Sequence, residues 1–231
     1  MGEKASININ GKEMSFDSER KLIDVLRNDC KCKSVKDGCS EGACGTCTVL
    51  IDGKPMRACI QTIGRLKGKK VQTIEGFTKR ERDVYSYAFA ICGAVQCGFC
   101  IPGMVVSAKG LIDINPNPSR IEIVAAIKNN ICRCTGYKKI IDAIELSAKM
   151  LRENIEVKDY KGKIKVGDKR IARIDAKEKA LGEGIYCDDI EIEGMIYGAA
   201  VRTKYPRAKI LKIDISEAKK LNGVVDIITA K

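Results

Sequence analysis

Gly38-Cys39-Ser40-Glu41-Gly42-Ala43-Cys44-Gly45-Thr46-Cys47-Thr48 is the stretch that decides how this chain folds. Three cysteines with x4 and x2 gaps share one glycine-rich loop, and a fourth, Cys59, follows further on. Four thiolates around metal concentrate negative charge, and their sulfurs need backbone N–H donors to offset it. Gly38, Gly42 and Gly45 let such a loop curl so that N–H groups point inward, because glycine reaches φ > 0 at little cost. A four-cysteine zinc site is more often built from two C-x2-C knuckles. The x4 gap and the repeated glycines fit that pattern poorly.

The spacing matches instead the plant-type ferredoxin arrangement of a 2Fe–2S cluster, three ligands in one loop and a fourth beyond. The flanks predict a matching frame. Ser6-Ile7-Asn8-Ile9 alternates as a strand, and Asn10-Gly11 is a hairpin signal. Asp17 or Ser18 is placed to cap a helix with Leu22, Ile23, Val25 and Leu26 on its apolar face. Strands are expected at Thr48–Ile51, at Met56–Ile60 after an Asp52-Gly53 turn, and at Lys70–Ile74. This order predicts a β-grasp sheet crossed by one helix, over residues 1–76.

Downstream the periodicity becomes helical. Helices are predicted at Arg80–Ile91, from Pro102 to about Ile114, after the capping box Ser119–Glu122, and after Tyr137. The third should bury Ile121, Val124, Ala125 and Ile127, and the fourth Ile140, Ile141, Ile144, Ala148 and Leu151. Four short helices over 77–154 make a compact bundle. Two cysteine pairs, Cys97-x2-Cys100 and Cys132-x-Cys134, fall at its helix junctions and can close a second four-thiolate site, with helix N-termini after Cys100 and Cys134 favouring its negative charge. On spacing alone this second group suits zinc as well as iron and sulfide. Cys92 and Cys187 read as small core residues. Cys30 and Cys32 are at most spare ligands.

The totals narrow the chemistry. The chain has 231 residues, 12 Cys and no His. Lack of His removes cysteine–histidine zinc sites, Rieske clusters, haem ligation by His and His-based catalytic dyads. The formal charge of +12 comes from 42 Lys and Arg against 30 Asp and Glu spread along the whole chain, which points to a solvated surface or an acidic protein partner rather than to nucleic acid. No apolar run approaches the ~20 residues of a membrane span. The N-terminus lacks a secretory h-region, so a cytoplasmic protein is expected.

Gln96-Cys97-Gly-Phe-Cys100-Ile-Pro-Gly103 and Cys132-Arg-Cys134-Thr-Gly136-Tyr137, downstream of the Cys39–Cys47 loop, resemble the molybdenum hydroxylases, the xanthine dehydrogenase and aldehyde oxidase family. The resemblance covers about residues 5–151. Further on, Arg173-Ile-Asp175-Ala-Lys177, Gly182-Glu-Gly-Ile-Tyr186-Cys-Asp188, Gly194-Met195-Ile-Tyr197-Gly198 and Tyr205-Pro206 look like the start of the molybdenum-binding portion; Arg207 stands where relatives commonly carry His.

The resemblance implies an α+β chain: a β-grasp 2Fe–2S ferredoxin-like domain (1–76), a four-helix 2Fe–2S-binding bundle (77–154), a linker (155–168) and a partial α/β hammerhead (169–231). Cys39, Cys44, Cys47 and Cys59 would hold one 2Fe–2S cluster, and Cys97, Cys100, Cys132 and Cys134 the other. Gln96 and Cys134 match positions that lie against the pterin. Electrons would run from molybdopterin through the two clusters towards FAD and NAD, after oxidation of a purine, another N-heterocycle or an aldehyde. No catalytic residue falls in this chain. The molybdopterin and FAD are expected on partner subunits or on missing portions of a longer enzyme, so the chain alone should not hydroxylate. A free-standing ferredoxin-like carrier is the alternative, and the hammerhead stretch and Gln96 speak against it.

Overall fold

The structure is a computed structural model that describes residues 3–157 and 172–230. The predicted linker therefore lies outside the described residues apart from 155–157. The chain forms two compact units, Met1–Cys187 and Asp188–Lys231.

The first unit begins with a five-stranded sheet in the order β2-β1-β5-β3-β4, formed by β1 (Lys4–Ile9), β2 (Lys12–Asp17), β3 (Thr48–Ile51), β4 (Lys54–Arg57) and β5 (Lys70–Gln72). The β1–β5 pairing is parallel and the others are antiparallel, which is the β-grasp topology expected. Asn10-Gly11 turns the first hairpin with both residues at positive φ.

Helix α1 (Leu22–Asp24) runs on into a π-helical turn, Val25–Asp29, and buries Leu22, Ile23, Val25 and Leu26 against the sheet. Its N-cap is Lys21, with no side-chain cap. The predicted caps do other work: Asp17 accepts from the Glu19 N–H in a local turn, and Ser18 donates its backbone N–H to Glu3. The strands predicted at Met56–Ile60 and Lys70–Ile74 stop early, and 3-10 turns at Ala58–Ile60 and Ile74–Gly76 take over.

Strand β3 is buried along its whole length, because it is covered on both faces. Val49 and Ile51 join the core under α1, while Leu50 joins the helical core. Fully burying each of these three side chains contributes about 1.5–3 kcal/mol. The helical layer consists of α2 (Lys79–Ile91), α3 (Ile101–Ile114), α4 (Arg120–Ile127) and α5 (Lys138–Arg152). α2 and α4 open with capping boxes, Thr78–Glu81 and Ser119–Glu122. α3 lies close on the sheet at Gly110, where a Cβ would come within 2.5 Å of the Pro55 ring.

Two helical expectations need correction. α4 buries Ile123 and Ile127, whereas Ile121 and Val124 stand 81% and 49% exposed and Ala125 is exposed. The short helix carries two overlapping apolar stripes, and periodicity could not choose between them. α5 begins at Lys138, after Tyr137 at φ 66°, so no helix N-terminus follows Cys134 directly.

Residues 172–187, with α6 (Ala176–Leu181), belong to this first unit; Ala176 and Ala180 are buried in its helical core. In the second unit, the alternating stretches Ala208–Ile213 and Val224–Ile228 form no strand among the described residues. Alternation marks a side-chain pattern, but a strand also needs a hydrogen-bonded neighbour, and Leu211, Val225 and Ile228 stay 86%, 72% and 93% exposed.

Candidate metal centres

The first cysteine loop hangs between α1 and β3. Asp37 shapes its start, accepting from the Ser40 N–H at 2.9 Å and the Ser40 hydroxyl at 2.6 Å. Ser40, Gly42 and Gly45 all take positive φ, which turns successive N–H groups inward. Gly38 does not; it is needed for space, since a Cβ there would meet Thr46 Oγ1 at 2.7 Å and Cys44 Sγ at 3.1 Å.

Those N–H groups converge on Cys39. The Cys44 N–H reaches its sulfur at 3.4 Å, joined by the N–H groups of Glu41 and Ala43, and the thiol falls from 9.0 to about 7. Cys44 Sγ also lies 3.1 Å from Thr46 Oγ1. Cys47, at the foot of β3, and Cys59, on the 3-10 turn after β4, are both buried. Burial pushes the Cys47 thiol up to about 12, against the N–H groups of Cys59 and Ala58. The group is thus two neighbouring pairs, Cys39 with Cys44 and Cys47 with Cys59.

The second group draws on two loops, α2–α3 and α4–α5. Its pairs form across them: Cys134 Sγ lies 3.7 Å from Cys97 Sγ, and Cys100 meets Cys132. Cys100 is the N-cap of α3 and is buried, which raises its thiol. Burial would also raise Cys132, but the Thr135 hydroxyl at 3.1 Å and the N–H groups of Cys134 and Thr135 outweigh it and hold the thiol down. Tyr137 props this loop: its hydroxyl accepts from the Cys132 N–H at 2.8 Å and donates to the Asn130 carbonyl at 3.2 Å. Cys97, Cys134 and Gln96 are exposed.

The donor sets fit two-iron clusters. A four-thiolate zinc ion, with bonds of about 2.3 Å, needs all its sulfurs mutually about 3.8 Å apart. Two thiols per iron, in two pairs, is what a binuclear cluster asks of four cysteines.

The groups are joined through the backbone. Ile131, next to Cys132, donates its N–H to the Cys44 carbonyl at 2.8 Å. Buried Asn130 donates to the Gly45 carbonyl at 2.8 Å and accepts from the Ser107 hydroxyl at 2.8 Å. Sequence reasoning missed this bridge; Asn130 sits in a run, Lys-Asn-Asn-Ile, that reads as an ordinary helix end.

The remaining cysteines stand apart. Cys32 is buried in the sheet core, with its thiol raised to about 11 by burial, and its sulfur accepts from Asn10 Nδ2 at 3.8 Å. Cys30 Sγ lies 3.9 Å from Met14 Sδ. Cys92 packs half-buried against the helical core as expected, whereas Cys187 is exposed on a 3-10 turn and is not a core residue.

A β-grasp sheet and a helical layer, each presenting four paired thiols, define a two-cluster iron–sulfur electron-transfer protein. Residues 4–84 match the family described as 2Fe-2S iron-sulfur cluster binding domain, and 73–145 match the 2Fe-2S binding domain. Residues 181–231 match the a/b hammerhead domain of aldehyde oxidase and xanthine dehydrogenase. The nicotinate dehydrogenase small FeS subunit of Eubacterium barkeri is 43% identical over 60% of this chain and 90% of its own length. The aldehyde oxidoreductase of Megalodesulfovibrio gigas is 37% identical over 97% of this chain, which spans 26% of that protein. The crystal structure of aldehyde oxidoreductase from Desulfovibrio desulfuricans superposes with a TM-score of 0.82 at 37% identity, covering 98% of this chain and 26% of that one. The chain belongs to the xanthine dehydrogenase and aldehyde oxidase family, as an iron–sulfur, electron-transferring component of its oxidoreductases. No helix among the described residues is long and apolar enough to cross a membrane.

Proposed function

We propose that Cys39, Cys44, Cys47 and Cys59 hold one 2Fe–2S cluster and Cys97, Cys100, Cys132 and Cys134 a second, in a ferredoxin-like domain (1–76) and a helical domain (77–154). A linker (155–168) and the start of a hammerhead domain (169–231) follow. The clusters supply one-electron storage at two linked positions. The protein's residues do the rest: N–H groups stabilise the Cys39 and Cys132 thiolates, burial keeps water from Cys47, Cys59 and Cys100, and the Ile131–Cys44 hydrogen bond fixes the two loops side by side.

In the working assembly, electrons enter from a molybdopterin-bearing subunit or portion that oxidises a purine, another N-heterocycle or an aldehyde. They leave towards FAD and NAD on a further one. The observation that carries this reading is the pairing of the thiols two by two, with one pair, Cys97 and Cys134, lying open to the surface beside Gln96. That rim suits contact with the pterin, with Gln96 as a polar partner. Small subunits among the relatives, one of them an FeS subunit, support a hetero-oligomer.

The test is iron, acid-labile sulfide and zinc per chain on anaerobically purified protein. About four irons and four sulfides are expected of two such sites. About two zincs without sulfide would overturn the reading.

A further inference from the structure

Two threonine hydroxyls lie against cysteine sulfurs at the same distance, one in each group. Thr46 Oγ1 is 3.1 Å from Cys44 Sγ, and Thr135 Oγ1 is 3.1 Å from Cys132 Sγ. A hydroxyl has one hydrogen to give and two lone pairs with which to accept. A sulfur that binds metal does so as thiolate and has no hydrogen to give. Any hydrogen in these two contacts must then come from the threonine.

The sites differ in where that hydrogen goes. Thr46 donates to the Lys36 carbonyl at 3.2 Å, which draws its one hydrogen away from Cys44. Thr135 instead accepts from the Tyr137 N–H at 3.2 Å, which leaves its hydrogen for Cys132. The chain bends sharply to hold this arrangement. Gly136 and Tyr137 both take left-handed backbone, at φ 64° and 66°, a conformation disfavoured for tyrosine. A residue other than glycine keeps it only where its surroundings hold it there. Tyr137 is held at both ends. Its N–H reaches back to Thr135, while its hydroxyl accepts from the Cys132 N–H at 2.8 Å and donates to the Asn130 carbonyl at 3.2 Å.

We propose that Thr135 is a potential-setting residue: its hydroxyl, oriented by the Tyr137 N–H, donates to the Cys132 thiolate and raises the potential at which the second cluster takes up an electron. The inference rests on the two-cluster reading above. Reduction adds one electron, and one negative charge, to a centre whose sulfurs are already negative. A hydrogen bond to sulfur is stronger in that more negative state and so favours it. Thr46, with its hydrogen on a carbonyl, gives Cys44 no such donor, so the device acts on one cluster of the two.

The test is a mediated anaerobic redox titration of the cluster-loaded full chain, followed by EPR, for wild type, Thr135→Val and Thr135→Ser, with iron and sulfide measured on each sample. Valine keeps the branched shape and loses the hydroxyl; serine keeps the hydroxyl. In Thr135→Val one cluster should become threefold or more harder to reduce at a given potential, a negative shift of at least about 28 mV at 59 mV per decade. The other cluster should move less than that, and Thr135→Ser should stay closer to wild type at both. A smaller or positive shift, an equal shift at both clusters, or an equal shift in Thr135→Ser would overturn the proposal. Should Thr135→Val fail to load clusters, Thr135→Ala carries the same test with the same outcomes. Failure of both to load would also overturn it, because the residue would then serve assembly rather than potential. Wild-type protein without iron and sulfide would sink the two-cluster reading itself, whereas loaded clusters with unmoved potentials would sink only the role of Thr135.

Discussion

Replacing Gly45 by Ala tests whether the two cysteine groups are held together as the geometry requires. Gly45 has φ 73°, and a Cβ there would lie 2.2 Å from the Asn129 carbonyl oxygen. Reaching an ordinary contact of 3.4 Å means opening the gap by 1.2 Å between the first loop and the α4–α5 connection. The Ile131–Cys44 and Asn130–Gly45 hydrogen bonds, both 2.8 Å, span that gap and would stretch beyond hydrogen-bonding range. Left buried and unsatisfied, each costs about 1–3 kcal/mol. The left-handed backbone adds about 1–2 kcal/mol, offset by about 0.4–1 kcal/mol from the stiffer unfolded chain. The total is about 2–8 kcal/mol, centred on about 5, and at that centre the melting point falls by roughly 10 °C or more in a chain of this size. Gly53 is the control, because its φ is 78° and nothing lies within 4 Å of its Cβ position. Gly53→Ala should therefore lose only about 2–4 °C. The assay is anaerobic thermal unfolding of cluster-loaded protein at one scan rate. If Gly45→Ala melts within about 3 °C of Gly53→Ala, the steric argument is wrong and the groups are not tied by this bridge.

Two further outcomes follow from the electrostatics. In metal-free protein, iodoacetamide should label Cys39 well before Cys47, because their thiols titrate near 7 and near 12. Cys39 labelling should rise roughly tenfold between pH 6 and 8 as its thiolate forms, while Cys47 stays protected; peptide mass mapping reads both, and equal labelling refutes the assignment. Lys109→Met removes the ammonium from Glu81, which is 19% exposed. The cost should be about 2 kcal/mol at pH 7, less than the 3–5 kcal/mol of a fully buried pair because water screens part of it. Burial raises the Glu81 carboxyl, but Lys109 together with the Thr78 N–H and hydroxyl outweighs it and lowers the carboxyl below its ordinary 4.5, so the contribution is present above that value and lost as the pH falls through the native one. The difference in melting point between variant and wild type should accordingly hold from pH 7 down to about 4.5 and narrow as the pH falls below it.

What the sequence disclosed was whatever one local rule determines. Asn10-Gly11 and the Ser119–Glu122 box name their structures because turn and cap are made by the residues themselves. The Cys39–Cys47 loop was legible for the same reason, since the x4 and x2 gaps and the glycines are its geometry. The second group was legible as a four-thiolate set but its metal only by resemblance, because its pairs form between loops, Cys97 with Cys134 and Cys100 with Cys132, and spacing along the chain carries no such information. Two-sided burial hid the rest. Thr48–Ile51 could be read as a strand but not as one pressed between two layers, and α4 had more apolar residues than its contacts use. Asn130 was silent because its three polar partners, Gly45, Thr48 and Ser107, come from other elements.

The two groups differ in exposure, and on the proposed function that difference gives the assembly a direction. Cys47 and Cys59 lie buried beneath the sheet edge, so the first group has a closed side and a mouth at Cys39. In the second group Cys100 is closed in, while Cys97 and Cys134 face outward beside Gln96. Exposed thiolates are hydrated and oxidisable, and solvent at a cluster alters its potential. An open rim is therefore a poor resting state for a centre that must pass electrons on, and a sound one for a centre completed by contact with a donor. The Ile131–Cys44 hydrogen bond then places the next centre one backbone contact inward. On that proposal, a chain whose outer thiols would be shielded in complex, and whose inner ones are shielded by its own fold, would receive at the rim of the second group and hand on through the first.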